Sequence, residues 1–430
     1  MKEIQLALAT LADVFDEGIP FGDSLKNRFQ ANLEIRPYRV PVAALVGCAL
    51  RHHLLFRFAM KDQEFNEYEC RVLSLYFANH FFYKRLHEET LKAYLATIIP
   101  AETLAFGEEF CASHTAESLI PEDVSRGSNL FLSLRYNFPE WTLKIFQHFG
   151  FGPTYRAVKM LSRPARRYYA LNPGVKMEQV LADKDFAPAP FFPESIVEYV
   201  GKTSIVKNTL YRSGALYPVK PFGRALIQKF AVEHPKQILI YDGNKNAVMA
   251  RDLVGVYGSS IGLNVALSSS SNGPELQRLI KTRHYSNVNL FVSPNAESMG
   301  SAISVPQDLV FCCPESTMFD DIPYSPDYLL GFDKTRMDSL IEGESTALEA
   351  CSKYVEVGGL LVYLVFTISK KEGVFQAQHF LAEHPEFERV EYKQHFPFEE
   401  ASCQSAAFYC VFRKKDPSQQ GTEPSPAEGE

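Results

Sequence analysis

Hydrophobic positions recur at helical spacing through the first part of the chain. Ile4, Leu8 and Leu11 follow one another at intervals of four and three residues, and a second stripe of this kind runs through residues 42–53. Few alternating runs of β-branched residues interrupt the pattern. The pattern therefore predicts an all-α bundle over residues 1–150.

After residue 216 the hydrophobic residues form short continuous runs. Such runs predict strands that are covered by helices on both faces, because they lack an alternation of polar and apolar positions. The predicted strands are residues 238–241, 263–267, 288–292, 309–313 and 359–366, with two more near 390–392 and 406–412. The stretches between the first five are long enough for helices. Residues 216–415 are therefore predicted to form a doubly wound α/β domain with a seven-stranded sheet.

Residues 151–215 give mixed signals, with a helical piece at 177–181 and a strand-like piece at 196–200. They predict a small α+β module. Its first part, residues 151–177, has no acidic side chain and carries these cations: Arg156, Lys159, Arg163, Arg166, Arg167 and Lys176. Tyr168 comes directly after Arg167. Such a segment can neutralise RNA phosphates and stack RNA bases, or it can be a solvated helix face beside an aromatic strand.

Composition narrows the picture further. A chain of 430 residues is long for one domain, and its net charge of −7 means that any RNA binding must rest on a local patch. The 8 cysteines show no CxxC pair, which indicates reduced thiols and no metal site. The apolar run at 358–366 is far shorter than the ~20 residues that span a membrane. We expect a cytoplasmic protein without membrane contact, with a disordered tail at 416–430.

Several short motifs occur in a recognisable order. They are VAALVGCALR at 42–51, GSNL at 127–130, FPEW at 138–141 and VGGLLVY at 357–363, followed by Glu372. In this order they resemble the RsmB/Sun-type RNA (cytosine-5)-methyltransferases, which carry an N-terminal NusB-like helical domain. The resemblance implies a NusB-like bundle at 1–150, a pre-catalytic α+β RNA-binding module at 151–215, and a Rossmann-like, S-adenosylmethionine-dependent methyltransferase domain at 216–415.

The resemblance also implies chemistry at two strand ends. Enzymes of this type add a cysteine thiolate to carbon 6 of cytosine, which prepares carbon 5 for methylation; a carboxylate and a second cysteine assist. In this chain Cys312 stands in the place of the carboxylate, Glu315 in that of one cysteine and Phe366 in that of the nucleophile. Phenylalanine cannot add to a pyrimidine, so the resemblance implies a degenerate catalytic site.

The cofactor positions depart from the family pattern as well. The loop after the first predicted strand contains Asp242, Gly243 and Asn244, with one glycine where the family has a glycine-rich turn. Ser268 lies in a serine run where an acidic residue would bind the ribose, and Lys220 replaces an aspartate before the domain core. We expect no bound cofactor and no metal. S-adenosylmethionine is the cofactor if the chain is active.

Three functions remain open at this point. The first is a pseudoenzyme that keeps RNA binding, with ribosomal RNA as the expected partner, through the cations above, Tyr168 and Asn172, which the resemblance identifies as a surviving residue of the RNA-binding module. The second is an active methyltransferase that uses a displaced thiol, Cys312 or Cys313. The third is a protein-interaction module that binds a protein partner through the NusB-like bundle.

Overall fold

The chain divides into two units. The computed structural model describes residues 2–30, 32–163, 165–201, 203–231, 235–244, 246–399 and 404–419. Unit 1 comprises Met1–Pro164 and Asp321–Asp333, and unit 2 comprises Ala165–Asp320 and Lys334–Glu430. The first boundary therefore lies at residue 164, whereas the sequence placed it at 150. The small α+β module and the large sheet, which the sequence separated at 215, share one unit.

Unit 1 is helical, as the hydrophobic stripes predict. Its helices are α1 (Lys2–Phe15), α2 (Phe21–Gln30), α3 (Arg39–Arg51), α4 (His53–Ala59), α5 (Glu67–Phe77), α6 (Glu88–Leu95), α7 (Ala101–Ser113), α8 (Asn129–Tyr136), α9 (Glu140–Gln147) and α10 (Phe151–Leu161). Ile4, Leu8 and Leu11 lie buried together on one face of α1. The prediction of a helical first part is confirmed.

Helix α10 explains why the first boundary moves from 150 to 164. Its apolar face, formed by Ala157, Val158 and Leu161, is buried. The helix packs against α8 and α9, and the Thr154 hydroxyl donates a hydrogen bond to the carbonyl oxygen of Phe146 at 2.9 Å. These contacts place residues 151–161 in the helical unit.

A distant segment, Asp321–Asp333, completes unit 1. The Asp327 carboxylate accepts a hydrogen bond from the backbone N–H of Phe21 at 2.8 Å, which satisfies a donor at the start of α2. The Phe332 ring stacks on Trp141 with their centroids 5.9 Å apart. Unit 1 is therefore discontinuous in sequence.

Unit 2 begins with a small antiparallel sheet. Its elements are β1 (Tyr168–Leu171), α11 (Met177–Leu181), β2 (Phe186–Pro188), β3 (Ile196–Tyr199), α12 (Thr209–Arg212) and β4 (Leu216–Pro218). The strand order is β2-β3-β1-β4. The helical piece and the strand that the sequence predicts in this module are both present.

A seven-stranded sheet forms the rest of unit 2. Its elements are α13 (Pro221–Ala231), β5 (Gln237–Asp242), α14 (Val248–Tyr257), β6 (Gly262–Leu267), α15 (Gly273–Arg283), β7 (Val288–Val292), β8 (Gln307–Cys313), α16 (Lys334–Ser352), β9 (Val355–Val365), α17 (Val374–Glu383), β10 (Phe387–His395) and β11 (Ala407–Lys414). The order is β10-β11-β9-β8-β5-β6-β7, in which β5 to β9 are parallel and β10 and β11 run antiparallel. All seven predicted strands, and the doubly wound class, are confirmed.

Both faces of this sheet are buried. Ile240 and Phe311 belong to a core that α13, α14 and α15 cover, whereas Leu239 and Val310 belong to a core on the opposite face that α16 and α17 cover. Successive strand residues therefore enter different cores. This explains why the strands lack polar positions at alternate places.

A buried polar network joins the small sheet to the large one. The hydroxyl of Tyr217, on β4, donates a hydrogen bond to Asp252 on α14 at 3.0 Å. Arg224, on α13, donates to the same carboxylate through Nε at 2.8 Å and to the Tyr217 hydroxyl through Nη2 at 2.9 Å. All three side chains are buried, so this network links β4 of the small sheet to α13 and α14 beside the large one.

Two expectations concern the ends and surface of the chain. Part of the predicted tail, Pro417–Gln419, forms a short 3-10 turn, and residues 420–430 lie outside the described residues. Within the described residues no single helix is long and apolar enough to cross a membrane. One bent pair, Arg36–Arg51 and His53–Ala59, satisfies the length and composition criteria jointly, with a 64° bend.

Candidate functional site

The carboxyl ends of four parallel strands meet at one edge of the large sheet. Asp242 at the end of β5 pairs in register with Leu267 on β6 and with Cys313 on β8. Strand β5 lies between β6 and β8, where the chain order reverses. In open α/β sheets such a switch point is where ligands bind. This edge is therefore the candidate site.

Asp242 serves the backbone of its own loop. Its carboxylate accepts hydrogen bonds from the N–H of Asn244 at 3.1 Å and from the N–H of Ala250, in the first turn of α14, at 2.9 Å. The side chain is buried, and burial raises the pKa of its carboxyl. Both of its oxygens are thus committed to closing the turn and capping the helix.

The Gly243 loop is closed against the neighbouring strand ends. The Gly243 N–H donates to the carbonyl of Cys313 at 2.8 Å, and the Asn244 side-chain amide donates to the same oxygen at 3.2 Å. The Ser268 hydroxyl donates to the Gly243 carbonyl at 2.9 Å. A Cβ at position 243 would lie 2.6 Å from the backbone nitrogen of Glu315, so only glycine fits this approach.

These contacts decide the fit of S-adenosylmethionine. A glycine-rich cofactor loop leaves its backbone N–H groups and nearby space to the ligand. Here the glycine makes room for the chain itself, and the Gly243 N–H is already bonded. Residues 268–272, after β6, contain no carboxylate that could bind a ribose. The residues present do not fit this cofactor.

The two thiols on β8 are inert core residues. Cys312 and Cys313 are both fully buried, and they enter the two opposite cores of the sheet. Burial raises the pKa of both thiols well above the usual range. A thiol attacks as its thiolate. Neither cysteine is therefore placed as a displaced nucleophile.

Phe366 and Lys220 fill the end of β9. Phe366 is 1% exposed, and its N–H donates to the Ser316 hydroxyl at 3.2 Å. The Lys220 ammonium lies 3.9 Å from the centroid of the Phe366 ring and 2.5 Å from a carboxylate oxygen of Asp320. Glu315, which the resemblance places at a cysteine position, is exposed. The position where the resemblance places the nucleophile is thus occupied by the Phe366 ring, with the ion-paired Lys220 beside it.

Next to Phe366 in sequence, Thr367 contacts a buried carboxyl group, that of Glu372, to which the sequence motifs assign no role. The Glu372 carboxylate accepts hydrogen bonds from the N–H of Thr317 at 2.7 Å and from the hydroxyl of Thr367 at 2.6 Å. The hydroxyl of Tyr363 donates to the Glu372 carbonyl at 2.7 Å. Burial raises the pKa of the Glu372 carboxyl.

Glu344 is a second buried carboxyl beside Glu372, and no pattern in the sequence indicates it. It lies on α16 and is 0% exposed. Burial, followed by the charge of Glu372, raises the pKa of the Glu344 carboxyl well above the usual range. It lies among both polar and apolar residues of α16, so the local sequence does not distinguish it from an exposed glutamate.

The structure divides the predicted RNA-binding residues between the two units. Arg156, Lys159 and Arg163 are exposed and belong to unit 1, on and just after α10. Arg166 and Arg167 are exposed and belong to unit 2. The cations of the predicted RNA-binding segment therefore form two groups, one in each unit.

Two of the predicted RNA contacts need correction. Tyr168 is 5% exposed and packs in the core of the small sheet, with the guanidinium of Arg166 over its ring at 5.6 Å. Asn172 is 6% exposed, and its side-chain amide donates to the Gly214 carbonyl at 2.5 Å. Tyr168 is therefore unable to stack on a base, and Asn172 holds β1 to the turn before β4.

No metal centre is evident where the structure can be described. Within the described ranges, no group of three or more histidine, cysteine, aspartate or glutamate side chains is arranged to hold a metal ion.

Together, the strand order and this edge define a Rossmann-like domain of the methyltransferase fold whose ligand-binding edge is closed by its own residues. Solved structures share the fold. The structure titled PH0851 is similar over 95% of this chain and 97% of its own, with 14% identity and a TM-score of 0.71. NSun6 from Pyrococcus horikoshii, solved with SFG, covers 65% of this chain and 99% of its own, with 12% identity and a TM-score of 0.53.

A third solved structure, a methyltransferase homologue from Pyrococcus horikoshii, covers 66% of this chain and 98% of its own, with 15% identity and a TM-score of 0.52. At these identities the likeness shows the fold, and it confirms the fold that the sequence resemblance implied. No protein-family model and no curated protein matches the sequence.

Proposed function

We propose that this protein is a catalytically inactive relative of the RsmB/Sun-type RNA (cytosine-5)-methyltransferases that binds RNA. Its NusB-like domain corresponds to unit 1, its partner is ribosomal RNA in the cytoplasm, and it acts by occupying that RNA or by assisting its assembly. The observation that carries the proposal is Phe366, packed against Lys220 where the resemblance places the nucleophile. A ring at that position has no lone pair with which to attack cytosine.

The closed cofactor edge supports the same proposal independently. The Gly243 N–H and carbonyl are both bonded within the chain, and the Asp242 carboxylate is committed to the backbone. A methyltransferase needs this edge open to S-adenosylmethionine. The fully buried thiols of Cys312 and Cys313 also count against an active enzyme with displaced groups.

The RNA-binding half of the proposal rests on exposed charge. Arg166 and Arg167 lie at the start of unit 2 and are exposed, although Arg166 is ion-paired with Glu198. Arg167 has no ion pair among those of the described residues. Exposed guanidinium groups bind phosphates through charge-assisted hydrogen bonds.

Equilibrium dialysis of the full chain against labelled S-adenosylmethionine, up to millimolar concentration, tests the loss of catalysis. We expect no retained label and no methyl transfer to RNA. Micromolar binding would contradict the closed Gly243 loop and restore the enzyme hypothesis. An active methyltransferase, dialysed in parallel against the same labelled S-adenosylmethionine, provides the positive control.

A filter-binding titration with structured ribosomal RNA tests the second half. We expect the wild type to bind and Arg167→Glu to bind more weakly, with the slope of log affinity against log salt reduced by about 0.7 to 0.9. Lys353→Glu is the matched control, because Lys353 is also an exposed cation of unit 2. Absence of RNA binding by the wild type would overturn the proposed function.

A further inference from the structure

Helix α10 presents a line of aromatic and cationic side chains to solvent. Phe151, Tyr155 and Lys159 follow one another at intervals of four residues, and Phe151 is 49% exposed. The Phe151 and Tyr155 rings are stacked, with centroids 6.3 Å apart and planes inclined by 26°. The Lys159 ammonium lies 5.8 Å from the centroid of Tyr155. A helix face that is merely solvated needs no exposed phenylalanine at its end.

A third aromatic ring joins this line from α8. Tyr136 packs edge-on against Tyr155 with their centroids 6.1 Å apart, and its hydroxyl donates to the Tyr155 hydroxyl at 3.4 Å. The next residue, Asn137, anchors the end of α8 because its side chain accepts from the Leu54 N–H at 3.0 Å and donates to the Leu50 carbonyl at 2.8 Å. The aromatic cluster is therefore attached to the main bundle of unit 1.

The charge around these rings is positive. Residues 125–163 contain six cationic side chains and one acidic side chain, Glu140, in a chain whose net charge is −7. Arg135, Lys159 and Arg163 are exposed, and no described carboxylate forms an ion pair with them. Arg135 and Arg163 lie close enough to Tyr136 for their charges to oppose the effect of burial, which raises the pKa of its hydroxyl to about 12.

One exposed ring and two half-buried rings beside unneutralised cations match one ligand chemistry. Unpaired bases stack on aromatic side chains, while their phosphates are neutralised by lysine and arginine. The bases of a duplex are already stacked on one another and offer no free face. The residues that we group as the α10 surface are Arg135, Tyr136, Phe151, Tyr155, Lys159 and Arg163.

We propose that the α10 surface binds unpaired nucleotides of RNA. The proposal rests on the RNA binding proposed above, and it names the class of RNA and the side chains that receive it. It also supplies the stacking residues that the sequence had placed at Tyr168, which is buried. Phe151 and Tyr155 take bases, and Lys159 and Arg163 take the phosphates on either side.

Fluorescence anisotropy of the full chain tests this assignment. The probe is a labelled single-stranded RNA of about 12 nucleotides, within the range of known single-strand sites, and the comparison is its duplex form. We expect tighter binding of the single strand. The single variants Phe151→Leu and Tyr155→Leu should each bind it about 5- to 150-fold more weakly, as expected for the loss of one stacked base.

Salt titration separates the two roles. The leucine variants should keep the salt slope of the wild type, because no cation is removed. Lys159→Gln and Arg163→Gln should each lower that slope by about 0.7. Tyr68→Leu and Lys26→Gln are matched controls, since both side chains are exposed in unit 1 away from α10, and they should change neither quantity. Trp141 fluorescence verifies that unit 1 is folded in every variant.

The outcomes distinguish this inference from the proposed function. If the wild type binds single-stranded RNA and the α10 variants bind it equally well, the α10 surface is overturned while RNA binding stands. If the wild type binds only duplex RNA, the α10 surface is again overturned. If it binds no RNA, both proposals fall.

Discussion

The ammonium of Lys220 lies 3.9 Å from the centroid of the Phe366 ring, above the end of β9. The same ammonium pairs with the buried carboxylate of Asp320, so the lysine is held from two sides. A lysine that faces an aromatic ring gains a cation–π attraction, and a ring that is 1% exposed gains from burial. The edge of the sheet is thereby stabilised by contacts among its own side chains.

Substitution of Lys220 should show how far Asp320 depends on it. Lys220→Met keeps most of the aliphatic stem but removes the charge that offsets a 5%-exposed carboxylate. We expect a loss of about 3–5 kcal/mol in the free energy of unfolding, as for other broken buried pairs. The double variant Lys220→Met, Asp320→Asn should recover most of that loss in urea unfolding followed by hydrogen exchange of β9. Equal losses in the single and double variants would show that the pair is not coupled.

Replacement of Phe366 by cysteine should not create an enzyme. A thiol would stand at the family's position, but the Gly243 loop would still be closed against Glu315. We expect no transfer of labelled methyl groups to RNA. The smaller side chain should also lower the free energy of unfolding by about 2–4 kcal/mol, because it leaves a cavity. Phe366→Leu is the control for the loss of the ring, and measurable methyl transfer by Phe366→Cys would refute the closed edge.

The network of Tyr217, Arg224 and Asp252 should dominate the stability of unit 2. Asp252→Ala leaves the Arg224 guanidinium buried without its carboxylate. We expect a loss of about 3–5 kcal/mol. Asp338→Ala, at an exposed position on α16, should stay within about 0.5 kcal/mol. Similar urea midpoints for the two variants would show that the network contributes little.

Glu344 should make unit 2 less stable as pH rises. Its pKa is raised above the ordinary value of about 4.5, so the folded chain keeps a proton that the unfolded chain releases. The free energy of unfolding should therefore fall as the pH increases above about 4.5. Glu344→Gln stays neutral and should flatten this fall and stabilise unit 2 at neutral pH. Glu342→Gln, exposed on the same helix, should leave the pH profile unchanged; a profile that Glu344→Gln also leaves unchanged would exclude the effect.

His52 should have the opposite effect in unit 1. Its ring stacks on Phe82 with centroids 3.8 Å apart, and burial lowers the pKa of its imidazole to about 4. The unfolded chain binds the extra proton below about 6.5, so this stability is complete above that pH and is lost as the pH falls towards 4, by about 3 kcal/mol. His52→Phe keeps the stacking and should remove the His52 part of this loss, while His53, whose pKa is also lowered to about 4 by burial, keeps its own part. The exposed His87→Gln should not change it. Trp141, the one tryptophan of the chain, reports the transition.

The sequence predicted what depends on repeated local signals and missed what depends on partners distant in the chain. The strands of the large sheet were predictable because short continuous apolar runs are typical of strands that are covered by helices on both faces. Phe366 could be singled out from the sequence because it occurs within a motif, at the position where the resemblance places a nucleophile. The Lys220–Asp320 pair joins side chains 100 residues apart, and no local pattern indicates it.

Burial of single side chains was equally hard to predict. Tyr168 beside two arginines is consistent with a base-stacking surface, yet strand pairing with β3 and β4 turns it into a core. Glu344 has the composition of a surface residue, yet α16 places it against Glu372. In both cases the deciding fact is which neighbouring element covers the residue, and that depends on the tertiary fold.

The hydrogen bond from Phe21 to Asp327 spans 306 residues of sequence, and this separation imposes an order of events during synthesis. A ribosome completes the first ten helices long before it reaches Asp321–Asp333, the segment that completes unit 1. At about 5–20 residues per second, the amide at the start of α2 waits on the order of ten seconds or more for its acceptor. The part of the protein that is made first is therefore among the last to be finished, and a nascent chain truncated before residue 321 carries a bundle that lacks its closing segment.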